Sequence, residues 1–205
     1  MQLVRSRVRQ LIRYGLLTLL TLTLSMVVAC GQSQQSDLPA NSTEGGTESS
    51  VSSDVGAIAQ VNLVGTALAP TISGQISLEE TPAGLNMQGQ FANIPIGMHG
   101  FHIHEGGSCE EGGGAAGGHF NPRDVDHGHL PSQGFDQAHA GDLGNLQSTS
   151  TEQTDWNLEV PGLTLTSGEY AVADRTFILH ADPDDLSQPT GNAGARIACG
   201  IIQMQ

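Results

Sequence analysis

Short runs of alternating apolar and polar residues, broken by Gly, Pro and Asn, dominate the chain from about residue 56 onward. Successive side chains of a β-strand point to opposite faces, so such runs predict strands with one apolar side. The alternation predicts strands over residues 61–67, 72–78, 85–91, 98–104, 156–160, 176–180 and 196–202. No long stretch repeats apolar residues at helical spacing. Many short strands separated by turn residues predict an all-β, antiparallel sandwich or barrel. Two regions, 106–138 and 181–195, follow neither period. Loops of that length in a compact domain are usually functional.

The first 29 residues have a different character. Arg5, Arg7, Arg9 and Arg13 precede an uncharged apolar stretch that ends at Ala29, the pattern of an export signal. The apolar stretch is shorter than the roughly 20 residues a spanning helix needs. Val27-Val28-Ala29-Cys30 resembles a bacterial lipobox, in which Cys30 becomes the lipid anchor; an ordinary cleavage site beside a chance cysteine is the alternative. Residues 30–55, rich in Ser, Gln, Gly, Thr and Glu, are too poor in apolar side chains to offset their ordering entropy and read as a tether. Residues 56–205 are then a single domain of ordinary size.

Removing the leader changes the charge. It holds four of the seven basic residues and none of the 21 acidic ones, so three arginines remain against 21 acids, a net charge of −18. The chain has no lysine. Nucleic-acid binding is excluded, because phosphate neutralisation requires a basic surface. If Cys30 carries lipid, Cys109 and Cys199 can pair in an oxidising compartment.

Seven of the eight histidines fall between His99 and His139, and the eighth, His180, ends a predicted strand. In the stretch GFHIHE, His102 and His104 share one strand face, opposite Phe101 and Ile103. Two converging imidazoles suit a metal; a polar strand face carrying two histidines by chance is the other reading. His119, His127 and His129 lie in the first long loop, His139 follows it directly, and Asp142 lies three residues beyond His139. Three histidines with an aspartate suit tetrahedral zinc, and several imidazoles without sulfur suit zinc or copper. The residues alone point to a histidine site for one metal or two.

The segments GMHGFHIHE, GGHFNP, HAGDLGN, RTFILHADPDDL and TGNAGARIACG, in that order, resemble copper/zinc superoxide dismutases across most of residues 56–205. The resemblance implies an eight-stranded Greek-key β-sandwich or barrel with two long functional loops. It implies copper on His102, His104, His119 and His180, and zinc on His119, His127, His139 and Asp142, with His119 shared. Arg196 matches the arginine that attracts superoxide beside copper. Asp184 matches the carboxylate linking a copper-side to a zinc-side histidine, and Thr190 the threonine that narrows the channel. Cys109 and Cys199 match the intrachain disulfide. HEGGSC, with Cys109 five residues after His104, looks more like the bacterial branch, which with Cys30 implies an exported lipoprotein on a membrane, facing the periplasm or the cell exterior.

Several readings stay open at this level. His99 matches a histidine that bonds backbone, and His129 rivals His127 for the zinc position. The glycines of 112–118 read as a loop that packs closely enough for His119 to reach both metals. Family members pair differently in different branches, so a homodimer is compatible with the resemblance and no interface is legible. The lysines that often surround the channel in relatives are missing here, which implies weak or reversed steering of an anionic substrate. A copper- or zinc-storing module, and a structural surface lipoprotein, are the rival functional classes.

Overall fold

The computed structural model describes residues 56–205. The predicted leader, the tether and Cys30 lie outside the described residues. Eight strands form: β1 (Ile58–Gly65), β2 (Ser73–Thr81), β3 (Gly84–Ala92), β4 (Gly97–His104), β5 (Asn145–Ser148), β6 (Thr154–Pro161), β7 (Thr176–His180) and β8 (Arg196–Met204). Their order is β5-β4-β7-β8-β1-β2-β3-β6, with every neighbouring pair antiparallel. The result is a nearly closed barrel. β1, β2 and β3 form a meander, and the β3–β4 and β6–β7 connections cross between its two halves, the winding expected of a Greek key.

The alternation seen in the sequence sorts side chains between barrel interior and exterior. Val61 and Leu63 of β1, Ile76 and Leu78 of β2, and Leu85 and Met87 of β3 point inward and are buried. Phe101 centres the interior: its ring meets Phe91 edge-on at 5.7 Å and Trp156 edge-on at 5.2 Å, with Phe177 tilted at 5.1 Å. Such pairs contribute about 0.5–1.5 kcal/mol each beyond the area they bury.

β4 and β7 break the pattern of one buried face. From His99 to His104 every residue of β4 is buried, and so is all of β7. Their outer faces are covered by the two long connections, which is where the histidines sit. The first connection is not featureless, as its lack of period had implied: a tight 3-10 segment, broken at Gly112 and Gly113, spans Glu111–Ala116, and helix α1 spans Leu130–Gln133. It is pinned to β8 by a disulfide between Cys109 and Cys199, whose Cα atoms are 5.7 Å apart. The bridge closes a 90-residue separation; chain-entropy reasoning credits a loop near 100 residues with about 4.7 kcal/mol. β5 is the one strand the alternation did not reveal.

Phe101→Ala removes the ring on which the interior aromatic cluster converges. It should lower unfolding free energy by about 3–5 kcal/mol, read as a reduced denaturant midpoint in the disulfide-intact, metal-free protein.

Candidate metal centre

β4 and β7 are direct neighbours, with His102 opposite Ile178 and His104 opposite Thr176. Period two therefore brings His102, His104 and His180 to one outer patch while Phe101, Ile103 and Leu179 fill the barrel. A register shift between Leu179 and His180, where His180 pairs with Arg196, turns the end of β7 within the patch. His119 reaches it because the returning loop makes a bridge to His104, with the Phe120 amide donating to Ile103 at 2.9 Å. Gly141 permits this approach: a Cβ there would lie 2.0 Å from the Ile103 carbonyl oxygen.

Two four-residue clusters result, His102–His104–His119–His180 and His119–His127–His139–Asp142, and within each the potential ligand atoms lie within 4.8 Å of one another. Every member is buried. His119 belongs to both, its ring centroid 4.2 Å from that of His102 and 5.6 Å from that of His139. His129 belongs to neither. It precedes Leu130 and Pro131 as the capping position of α1, and its Nδ1 lies 2.8 Å from Ser132 Oγ. His99 bonds backbone, with its two ring nitrogens 2.9–3.0 Å from the carbonyls of Pro95, His180 and Ala181.

The unused nitrogens identify what the clusters are built for. His102 Nδ1, His127 Nδ1 and His139 Nδ1 are buried without a hydrogen-bond partner. His127 Nδ1 and His139 Nδ1 do lie 2.9 and 3.0 Å from Asp142 oxygens, but without hydrogen-bond direction. Orphaned buried nitrogens are rare and call for an explanation. Imidazole lone pairs converging with one carboxylate fit a metal ion on the Asp142 side, and the all-imidazole set fits a second beside it.

Partners behind the clusters set which nitrogen faces inward. His104 Nδ1 donates to Gly117 O at 3.0 Å and His180 Nδ1 to Gly194 O at 3.2 Å, leaving both Nε2 atoms for the first cluster. Asp184 accepts from His102 Nε2 at 2.9 Å and from His127 Nε2 at 3.0 Å, so one carboxylate joins the two clusters. Gly191, at φ +75°, packs directly on it; a Cβ would fall 1.9 Å from Asp184 Oδ1. Asn145, which the sequence reading missed, clamps the Asp184 backbone by donating to its carbonyl at 2.9 Å and accepting from its amide at 2.7 Å.

Burial governs the charge states. It lowers His104 to about 2 and His180 to about 3, with neighbouring imidazoles adding to the effect. Burial likewise lowers His119 to about 4, against the pull of its bond to Asp142. Burial lowers His127 too, but the Asp142 and Asp184 carboxylates beside the ring outweigh it and raise it to about 9. Asp142 stays ionised: burial raises it, and the His119, His127 and His139 rings gathered around it hold it well below the ordinary carboxylate range. Asp184 is depressed in the same way by His102 and His127.

Arg196 leaves β8 beside His180, and its guanidinium donates to the carbonyls of Gly113 and Gly117. The glycine run therefore wraps the arginine; Gly113 and Gly117, at φ +87° and +73°, turn their carbonyls toward it. Thr190 is exposed in the turn next to Gly191.

These charge states set a pH dependence for metal uptake. With His127 at about 9, a zinc ion entering the His119–His127–His139–Asp142 cluster would have to displace a proton from it at neutral pH, whereas His119, at about 4, is already neutral. The apparent zinc affinity of the metal-free protein should rise about tenfold per pH unit from roughly pH 6 to 9 and then level off, measured by chelator competition. A flat profile over that range would show a neutral His127.

A family model for copper/zinc superoxide dismutase matches residues 72–202. The chain is 42% identical over 136 residues to an extracellular copper/zinc superoxide dismutase of Haemonchus contortus, an alignment covering 63% of this chain and 72% of that protein. It is 38% identical over 136 residues to the extracellular enzyme of Caenorhabditis elegans, covering 63% of this chain and 60% of that one. A putative superoxide dismutase of Autographa californica nuclear polyhedrosis virus is 37% identical over 141 residues, covering 64% of this chain and 91% of the viral protein. Among solved structures, the clock protein EA4 superposes with a TM-score of 0.66 at 33% identity, covering 74% of this chain and 96% of its own. With a family match over most of the barrel and two clusters sharing His119, this chain belongs to the copper/zinc superoxide dismutase family.

Proposed function

We propose that His102, His104, His119 and His180 hold copper, that His119, His127, His139 and Asp142 hold zinc, and that Arg196 receives superoxide beside the copper set. The reaction is the dismutation of superoxide to oxygen and hydrogen peroxide, which family membership and the named relatives support. The observation carrying the residue assignment is the His119 ring shared by two buried clusters that contain three unpartnered ring nitrogens.

Copper held by His102, His104, His119 and His180 would supply one-electron redox chemistry, oxidising one superoxide to oxygen and reducing a second, with two protons, to hydrogen peroxide. The protein supplies geometry, protons and field. His104 and His180 are neutral at physiological pH and present their Nε2 lone pairs. His119 keeps Nδ1 toward Asp142 at 2.7 Å, which leaves Nε2 for the copper set. That Nε2 would also be the atom to take up and pass on a proton beside the copper set, with Asp142 holding the ring through Nδ1. Arg196, fixed by two carbonyls, offers a cation to the incoming anion, and Thr190 borders the approach from the other loop.

Asp182 and Asp185 are exposed on the loop that carries Asp184, and Glu110 and Glu111 are exposed beside the glycine turn around Arg196. Arg196 is thus a single cation within an acidic rim, which supports weak long-range capture with a local positive focus. A storage module would have no use for it.

The finer reading concerns location. Relatives named extracellular support export, and the basic-apolar start of the chain supports an export signal over residues 1–29. Cys30 after Val27-Val28-Ala29 supports a lipid anchor of the bacterial type, with residues 30–55 as tether and residues 56–205 as the dismutase domain on the periplasmic or outer side of a membrane. A homodimer is compatible with this arrangement.

Arg196→Ala should lower the dismutation rate about tenfold or more, the scale of electrostatic guidance, while copper and zinc content stay at wild-type levels; unchanged activity would favour storage. Raising ionic strength from about 10 mM to 150 mM should leave the rate within about twofold or increase it. A steep decline across that range would mean the acidic rim does not govern approach.

A further inference from the structure

His127 differs from its neighbours in how its backbone is held. His119 is bridged to β4, and the His139 amide donates to Asp142 Oδ2 while its carbonyl accepts from the Asp142 amide. The Asp142 carbonyl accepts from Leu130. His127 lies in a segment without regular structure, and among the described residues its backbone groups find a partner in one side chain from the other loop. Gln188 Oε1 accepts from the His127 amide at 2.9 Å, and Gln188 Nε2 donates to the His127 carbonyl at 2.8 Å.

From this pairing we infer that Gln188 is a positioning residue for zinc retention, acting through the backbone of His127. The inference rests on the zinc assignment above. A carboxamide carries one acceptor and one donor, so it matches both groups of one residue as a neighbouring strand would in an antiparallel ladder. The orientation of the amide is unambiguous, because the backbone N–H only donates and the carbonyl only accepts. Glutamate could satisfy the amide but would set a carboxylate against the carbonyl.

The consequence follows from what the His127 ring must do. Its Nδ1 points toward the Asp142 side while its Nε2 donates to Asp184, so both nitrogens are committed and the ring position depends on its Cα. With Asp184 holding the ring and Gln188 the backbone, the loop over residues 181–195 grips this one ligand at two points. Release of the backbone grip lets the ligand swing away from an otherwise intact set. Partners behind a metal ligand typically change metal retention by about 10- to 100-fold. The copper-side histidines have their own partners at Gly117 and Gly194, so copper should be little affected.

The test compares release of zinc and of copper, each to a chelator, from fully loaded wild-type, Gln188→Ala and Gln188→Glu protein, alongside melting of each metal-free form and the zinc content of Asp142→Ala after the same loading. Both Gln188 variants should release zinc about tenfold faster, at the lower end of that range, with copper release within about twofold and metal-free melting unchanged. Zinc release at the wild-type rate in both, or equal acceleration of copper release, overturns the role of Gln188. Asp142→Ala should fail to retain zinc. If it does retain zinc, the zinc assignment itself fails and the inference falls with it; if it does not, a negative result at Gln188 concerns Gln188 alone.

Discussion

The two-residue period of β4 is the constraint on which everything else rests. Phe101 and Ile103 face into the barrel because the interior needs their bulk, and His102 and His104 are thereby committed to the opposite side. A shift of one residue would exchange the two sets, sending imidazoles into the aromatic core and phenyl into the cluster. The antiparallel partner β7 obeys the same rule, with Phe177 and Leu179 inside and His180 outside. Core packing thus aims three imidazoles at one outer patch independently of the loops that cover it.

Covering that outer patch inverts the usual economy of burial. Six imidazoles and two carboxylates are nearly or fully withdrawn from water. Each carries a desolvation penalty unless it is paired. Asp142 meets this by bonding the His119 ring and, through Oδ2, the amides of Gly128 and His139, with the His127 and His139 rings at 2.9 and 3.0 Å. Asp184 is satisfied by two rings and the Leu186 amide. The carboxylates are thus well supplied, while three ring nitrogens remain without bonds. That imbalance leaves ring nitrogens turned into the clusters, where a metal ion fits.

Much of this was legible in the chain. Seven strands announced themselves because each is long enough to show alternation, and the histidine crowding pointed to a metal before any resemblance was weighed. β5 escaped because its four residues carry a single apolar side chain, Leu146, and its buried Ser148 is held by hydrogen bonds to backbone carbonyls rather than by hydrophobic pattern. His127 and His129 are equally placed by spacing. What separates them is the helix start at Leu130-Pro131, which makes His129 a capping position, and the packing of its ring against Gly144. Asn145 and Gln188 had no local signal, since their bonds span 39 and 61 residues. The glycines of 112–118 read as a loop packing closely beside His119, and the carbonyls of Gly113 and Gly117 also hold Arg196, a role with no local signal.

The Cys109–Cys199 bridge extends this dependence beyond the molecule. It fastens the beginning of the glycine turn to the same strand from which Arg196 emerges, so the carbonyl cradle of the guanidinium hangs from a covalent hinge. In a chain kept as dithiol that cradle would lose its covalent tie to the strand. Maturation of the substrate-facing charge is thereby tied to the redox climate of the compartment, and a molecule stranded among cytosolic reductants would be a barrel with an unfinished entrance.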